Sequence, residues 1–166
     1  NGYRPTLWVV DGRPNSLGEN RRSVGIDTWA DKCTFANNST MFCAVPQQLA
    51  ANSGLQRSLS TGIADSIYRI NIETGSKIQI KASSIGSDVT SFGPKTEWDE
   101  LYFLDFSRED GSFKVYKIEK EWVYQHKVNR KPSFSEQQDE SRRPRFSITE
   151  NIIKPKDLVP IRICKL

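Results

Sequence analysis

Asp65, Gln79 and Lys81 are the residues whose types and spacing could do chemistry together. They lie in "GIADSIYRINIETGSKIQIKASS", Gly62 to Ser84, which reads as two short alternating runs joined by the turn "ETGS". Gln79 and Lys81 are two apart, so on a strand they leave from one face. Asp65 sits on the preceding run, and adjacent antiparallel strands can bring such positions close. A hard divalent cation such as Mg2+ takes oxygen ligands and keeps several waters. Asp65 offers a carboxylate, Gln79 an amide oxygen and Ile80 a backbone carbonyl. Lys81 would set a positive charge against a phosphate oxygen or orient an attacking water. Those are the parts that metal-dependent phosphodiester hydrolysis needs. Ile78 and Ile80 are expected to point the other way, into the core. The plainer reading is that Asp65 and Lys81 are solvated strand-end charges. Glu73, Glu97, Asp99 and Glu100 are rival carboxylates, each also explained as a polar turn or strand entry.

The elements that must position these residues follow from periodicity. "SIYRINIE" alternates Tyr68, Ile70 and Ile72 against Ile67, Arg69 and Asn71, the period of a strand. "KIQIKASS" does the same, and Gly75 in the intervening turn suits a positive φ. In "WDELYFLDF" the unbroken run Leu101 to Leu104 predicts a strand buried on both faces. "FKVYKIE" predicts another alternating strand. Towards the start, "TLWVV" predicts a short buried strand, and "VGIDTWADKCTF" a short strand or a ragged helix. "TMFCAVPQQLAANSGLQRSL" predicts one helix, with Pro46 in its first turn and Gly54 after its end. "DLVPIRICKL" is expected to be helical, interrupted at Pro160. The sum is an α/β fold with a mixed central sheet of four or five strands flanked by helices, in one domain spanning 1–166. The many short strands also leave an all-β binding domain open.

A basic segment is the second feature. Arg130, Lys131, Arg142, Arg143 and Arg145 crowd a short span, diluted by Glu136, Asp139 and Glu140. Pro132, Phe134, Pro144 and Phe146 mark it as a held loop. Arginines so placed can clamp phosphates or read guanine edges, and Gln137 and Gln138 could read adenine. Ser83, Ser84 and Lys95 are further candidate phosphate contacts. The net charge of +4 permits an anionic partner. The lone His126 is expected to be an ordinary surface or partly buried residue, since metal-water chemistry needs no separate base.

Composition narrows the class. An apolar share of 36% and a charged share of 27% suit a soluble globular chain. No apolar run approaches the roughly 20 residues that cross a bilayer, so no membrane association is expected, and no secretory leader is legible. Cys33, Cys43 and Cys164 are odd in number and form no C-x-x-C pair. That argues against a zinc site and a disulfide framework, and for buried thiols in a reducing cytoplasm.

Asp65, the Gln79-Ile80-Lys81 element and the strands after them resemble the PD-(D/E)XK nuclease family, specifically its type II restriction endonucleases. The resemblance covers Gly62 to Ile118, the family's central sheet. It implies Asp65 as metal ligand, Gln79 at the second acidic position and Lys81 as catalytic lysine. The chain departs from the pattern at Gln79, which is neutral, and at Ala64, where the family has proline. The resemblance further implies Mg2+ as cofactor, double-stranded DNA as substrate, a specific short site, and a homodimer, because duplex cutters of this kind need two active sites. A structure-specific or repair nuclease of the same fold is one alternative. A non-catalytic DNA-binding module is another.

Overall fold

The structure, a computed structural model, describes residues 2–84, 86–93, 97–108, 110–128 and 133–165. The chain divides into two compact units, Asn1–Ser76 and Lys77–Leu166. Its class is α/β, with a mixed sheet and few, short helices.

In the first unit β1 (Trp8–Val9) pairs antiparallel with β2 (Arg22–Ser23). A 3-10 turn, Ala30–Lys32, runs directly into β3 (Cys33–Phe35). β4 (Thr40–Pro46) and β5 (Asp65–Asn71) complete an antiparallel ladder in the order β3-β4-β5. The period-two pattern of β5 is realised: Ser66, Tyr68 and Ile70 are buried while Asp65, Ile67 and Arg69 are exposed. Opposite them, Met41 faces Ile70 and Cys43 faces Tyr68, so the buried faces of β4 and β5 form one apolar layer. The turn after β5 forms as its residues suggest. Asn71 donates its N–H to the Ser76 carbonyl at 2.9 Å and its Oδ1 accepts from the N–H groups of Glu73 and Thr74. Gly75 takes φ 77°, where a side chain is strained.

Three expectations for this region are corrected. No helix forms from Pro46; the alternation of Met41, Cys43 and Val45 makes "TMFCAVP" a strand, and Pro46 is its last residue. Gly54 is not a helix stop. Its N–H donates to the Tyr3 carbonyl at 2.7 Å, and a Cβ there would lie 2.5 Å from that oxygen. "TLWVV" yields only a two-residue strand, with Leu7 buried and Trp8 and Val10 about half exposed. Third, Cys33 and Cys43 are joined by a disulfide. They are direct partners in the β3–β4 register, with Cα atoms 4.1 Å apart. Counting and spacing along the sequence cannot see a pair that only a ladder brings together.

The second unit holds β6 (Lys77–Ala82), β7 (Val89–Ser91), β8 (Glu100–Asp105) and β9 (Ser112–Ile118). Then come α1 (Lys120–Tyr124), α2 (Phe134–Asp139), β10 (Arg145–Ser147) and β11 (Arg162–Lys165). β6 and β8 run parallel, while β8–β9 and β9–β11 are antiparallel, which makes the sheet mixed. β7 and β10 form a separate antiparallel pair. β8 is not buried on both faces. Leu101, Phe103 and Asp105 are buried and Tyr102 and Leu104 are half-buried. The end of "DLVPIRICKL" is strand β11, not helix: Pro160 bars a regular helix, and Ile161 donates its N–H to the Val115 carbonyl at 2.9 Å. Part of the basic segment is α2, opened by a capping box between Ser133 and Glu136. The core here is aromatic. The Phe92 ring lies 5.6 Å from Trp98, 5.0 Å from Phe134 and 5.7 Å from Phe146. Among the described residues no helix is long and apolar enough to cross a membrane.

Candidate active site

Asp65 opens β5, paired with Pro46 at the end of β4. Its carboxylate is gripped by one cation: Lys32 Nζ donates to both Oδ1 and Oδ2 at 2.8 Å. The two side chains are 24% and 29% exposed, so this pair sits at the rim, reachable from solvent. Lys32 is the last residue of the 3-10 turn before β3, and its ammonium also lies 5.8 Å from the Trp29 ring. The guanidinium of Arg57 lies 4.9 Å from the same ring and binds Asp31 at 2.8 Å. Sequence reasoning missed Lys32. Thirty-three positions separate it from Asp65, and only the antiparallel ladder closes that gap.

Gln79 and Lys81 share a face of β6, as their spacing requires, and that face is buried, at 0% and 8% exposure. Ile78 and Ile80, expected to supply the core face, are only half-buried. In the parallel register Gln79 lies beside Leu101 and Lys81 beside Phe103. Lys81 Nζ donates to the Ser91 carbonyl at 2.8 Å and stands 5.1 Å from the Phe92 ring centre. Burial pushes the Lys81 ammonium down to about 8, and the positive charge of Arg143 adds to the push. The β7–β10 pairing brings that arginine's segment near: Arg145 is the partner of Ser91, and Phe92 donates its N–H to the Pro144 carbonyl at 3.0 Å. Ser91 and Phe92 carried no sequence signal, because a carbonyl has no residue signature and Phe92 reads as plain core.

The remaining candidates separate by environment. Ser83 is buried, donates to Asp105 Oδ1 at 3.2 Å and accepts from the Phe106 N–H, so it ties β6 to β8. Ser84 is exposed in a tight turn with Ser87. Arg142, Arg143 and Arg145 are exposed, and Arg142 pairs with Glu140 at 2.9 Å. Lys95, Arg130 and Lys131 lie outside the described residues. Two of the rival carboxylates have structural partners. Asp99 accepts the Lys77 N–H at 2.7 Å, and Glu100 pairs with Lys117 at 3.2 Å. Glu73 and Glu97 are exposed. His126 is half-buried, with its ring 4.4 Å from Phe146, and burial lowers its pKa.

Among the described residues no group of three or more His, Cys, Asp or Glu comes together to hold a metal ion. That excludes a dedicated cage of such side chains there; a Mg2+ ion needs only one or two carboxylates together with water and substrate phosphates. Asp65 fits this role: its carboxylate is accessible and already binds a positive charge through both oxygens.

Residues 37–155 match the family described as Bsp6I restriction endonuclease. A related sequence is the type II restriction enzyme Bsp6I of Bacillus sp. (strain RFL6), 35% identical over 92 residues. The match covers 54% of this chain and 53% of that enzyme, so the chain spans about half the length of the relative. No solved structure matches.

Proposed function

Because the chain belongs to the Bsp6I restriction endonuclease family, we propose that it is a Mg2+-dependent endonuclease of PD-(D/E)XK type that cuts double-stranded DNA at a specific short sequence. The observation that carries the reading is the reach of the family match, 37–155, which takes in Asp65, Gln79 and Lys81 together. In this reading residues 1–166 act as one nuclease domain, and two copies serve the two strands of the duplex.

Each residue has an assigned part. Asp65 would hold the cation through its carboxylate, and Gln79 and Ile80 would offer neutral oxygens, an amide and a backbone carbonyl. A divalent cation held there would supply an activated water near neutral pH. Lys81 sets its ammonium against the phosphate oxygen on which charge builds, and its dry surroundings strengthen that contact. Ser84, Lys95, Arg130, Lys131, Arg142, Arg143 and Arg145 hold the DNA backbone; Ser83 is a weaker candidate beside them, because its hydroxyl is engaged by Asp105 and the Phe106 N–H. The family assignment favours this reading over a binding module without activity.

The test is incubation of the protein with plasmid DNA across a Mg2+ series. Discrete fragments that disappear on chelation are expected, and Asp65→Ala should give none while melting cooperatively. Absence of cutting at every Mg2+ concentration defeats the enzyme reading. Cutting by Asp65→Ala at the wild-type rate removes Asp65 from the site. Products without a common end sequence point instead to a structure-specific nuclease.

A further inference from the structure

We propose that Lys32 is a built-in counter-cation of the candidate site, occupying the Asp65 carboxylate until a divalent cation displaces it. The inference rests on the reading of Asp65 as metal ligand and adds how that site is regulated.

The geometry is that of one cation shared by two oxygens, 2.8 Å from each. A bound metal would need the same oxygens and supply the same sign of charge, so ammonium and metal compete for one position. Lys32 is well placed to compete. Its side chain is about three-quarters covered and runs past the Trp29 ring, so little freedom is lost when the ion pair forms. The neighbouring acid, Asp31, is engaged by Arg57 and does not draw Lys32 away. Two charge-assisted hydrogen bonds must therefore break before the carboxylate can bind a metal ion. The displaced ammonium then needs an anion, and a DNA phosphate is one. Metal entry without DNA strands a cation, while metal entry with DNA gives each charge a partner. The device holds metal affinity down until substrate is present.

The probe is Mn2+, counted as free ion by its paramagnetic resonance in the protein without DNA. Lys32→Met removes the competing charge and keeps the side-chain length along Trp29. It should lower the Mn2+ concentration at half-saturation by about fivefold, the scale of a partly exposed ion pair of about 1 kcal/mol. Lys32→Arg keeps a cation there and should leave half-saturation at the wild-type concentration or higher. Equal binding curves for wild type and Lys32→Met overturn the proposal, as does tighter binding by Lys32→Arg. Asp65→Asn separates the two levels of inference. Loss of Mn2+ binding in this variant with no effect of Lys32→Met sinks only the counter-cation. Unchanged binding by Asp65→Asn sinks the assignment of Asp65 itself.

Discussion

Asp65 and Lys81 carry opposite charges, and their surroundings are opposite as well. The carboxylate stands at a rim, in contact with solvent and held by a cation of its own unit. The ammonium is nearly dry, set against an aromatic ring and a backbone carbonyl. A charge at a rim is governed by what competes for it, such as Lys32, dissolved metal and salt. A buried charge is governed by the loss of water, which works against the charged form itself. One candidate residue is thus exposed to ions and the other to dehydration.

The largest effect that this contrast predicts is on rate. Lys81→Ala should lower cleavage at saturating Mg2+ by on the order of 10²–10³, the usual loss of one preorganised electrostatic contact. Single-turnover assays read this directly. A loss of less than threefold would place the buried ammonium outside the chemistry.

The next effect is on pH. With the pKa of Lys81 pushed down to about 8, its charge is complete well below that pH, half lost at it and gone well above. If the charged form meets the phosphate, kcat/KM should be flat well below pH 8, bend near it and fall about tenfold per unit well above it. Lys81→Arg, which stays protonated, should lack that falling limb even where its rate is low. Stability has the opposite trend. Above about pH 8 the unfolded chain holds a proton that the folded lysine has released, so Lys81 contributes a rise in stability from pH 8 towards the ordinary lysine range. Denaturant titrations at pH 7.5 and 9.5 should show this rise in wild type, and Lys81→Met should remove it.

The smallest effect sharpens the contrast among exposed charges. Arg142 is already paired with Glu140, whereas the charge of Arg143 bears on Lys81. Arg143→Ala should reduce the slope of log affinity against log salt by about 0.9 for one lost phosphate contact. Arg142→Ala should change it less. Equal slopes in both variants and in wild type would make the segment a solvated surface.

The strands with clean alternation were legible: β5, β6 and β9 fall where period-two patterning put them. The capping box of α2 is also a local signal, Ser133 followed three residues later by Glu136. What was illegible depended on distant pairing. β11 exists because β9 offers it an edge. The candidate site residues divide the same way. The shared face of Gln79 and Lys81 is a local fact of strand geometry, but its burial is tertiary. Lys32 and Phe92 became visible only when the chain was folded, because a salt bridge across 33 positions and a ring beneath an ammonium have no local spacing.

The bond between Cys33 and Cys43 has a bearing on Asp65 that goes beyond holding two strands. Strands slip in whole residues, and a slip of one turns every side chain to the other face. With their sulfurs joined, β3 cannot slide along β4, and β4 is indexed to β5 by seven residue pairs ending at Pro46 and Asp65. Lys32 immediately precedes the bonded cysteine. Its offset from the carboxylate is therefore set by a covalent pin and a count of ladder rungs, as a gear tooth is set by its key, and not by the give of the turn that carries it.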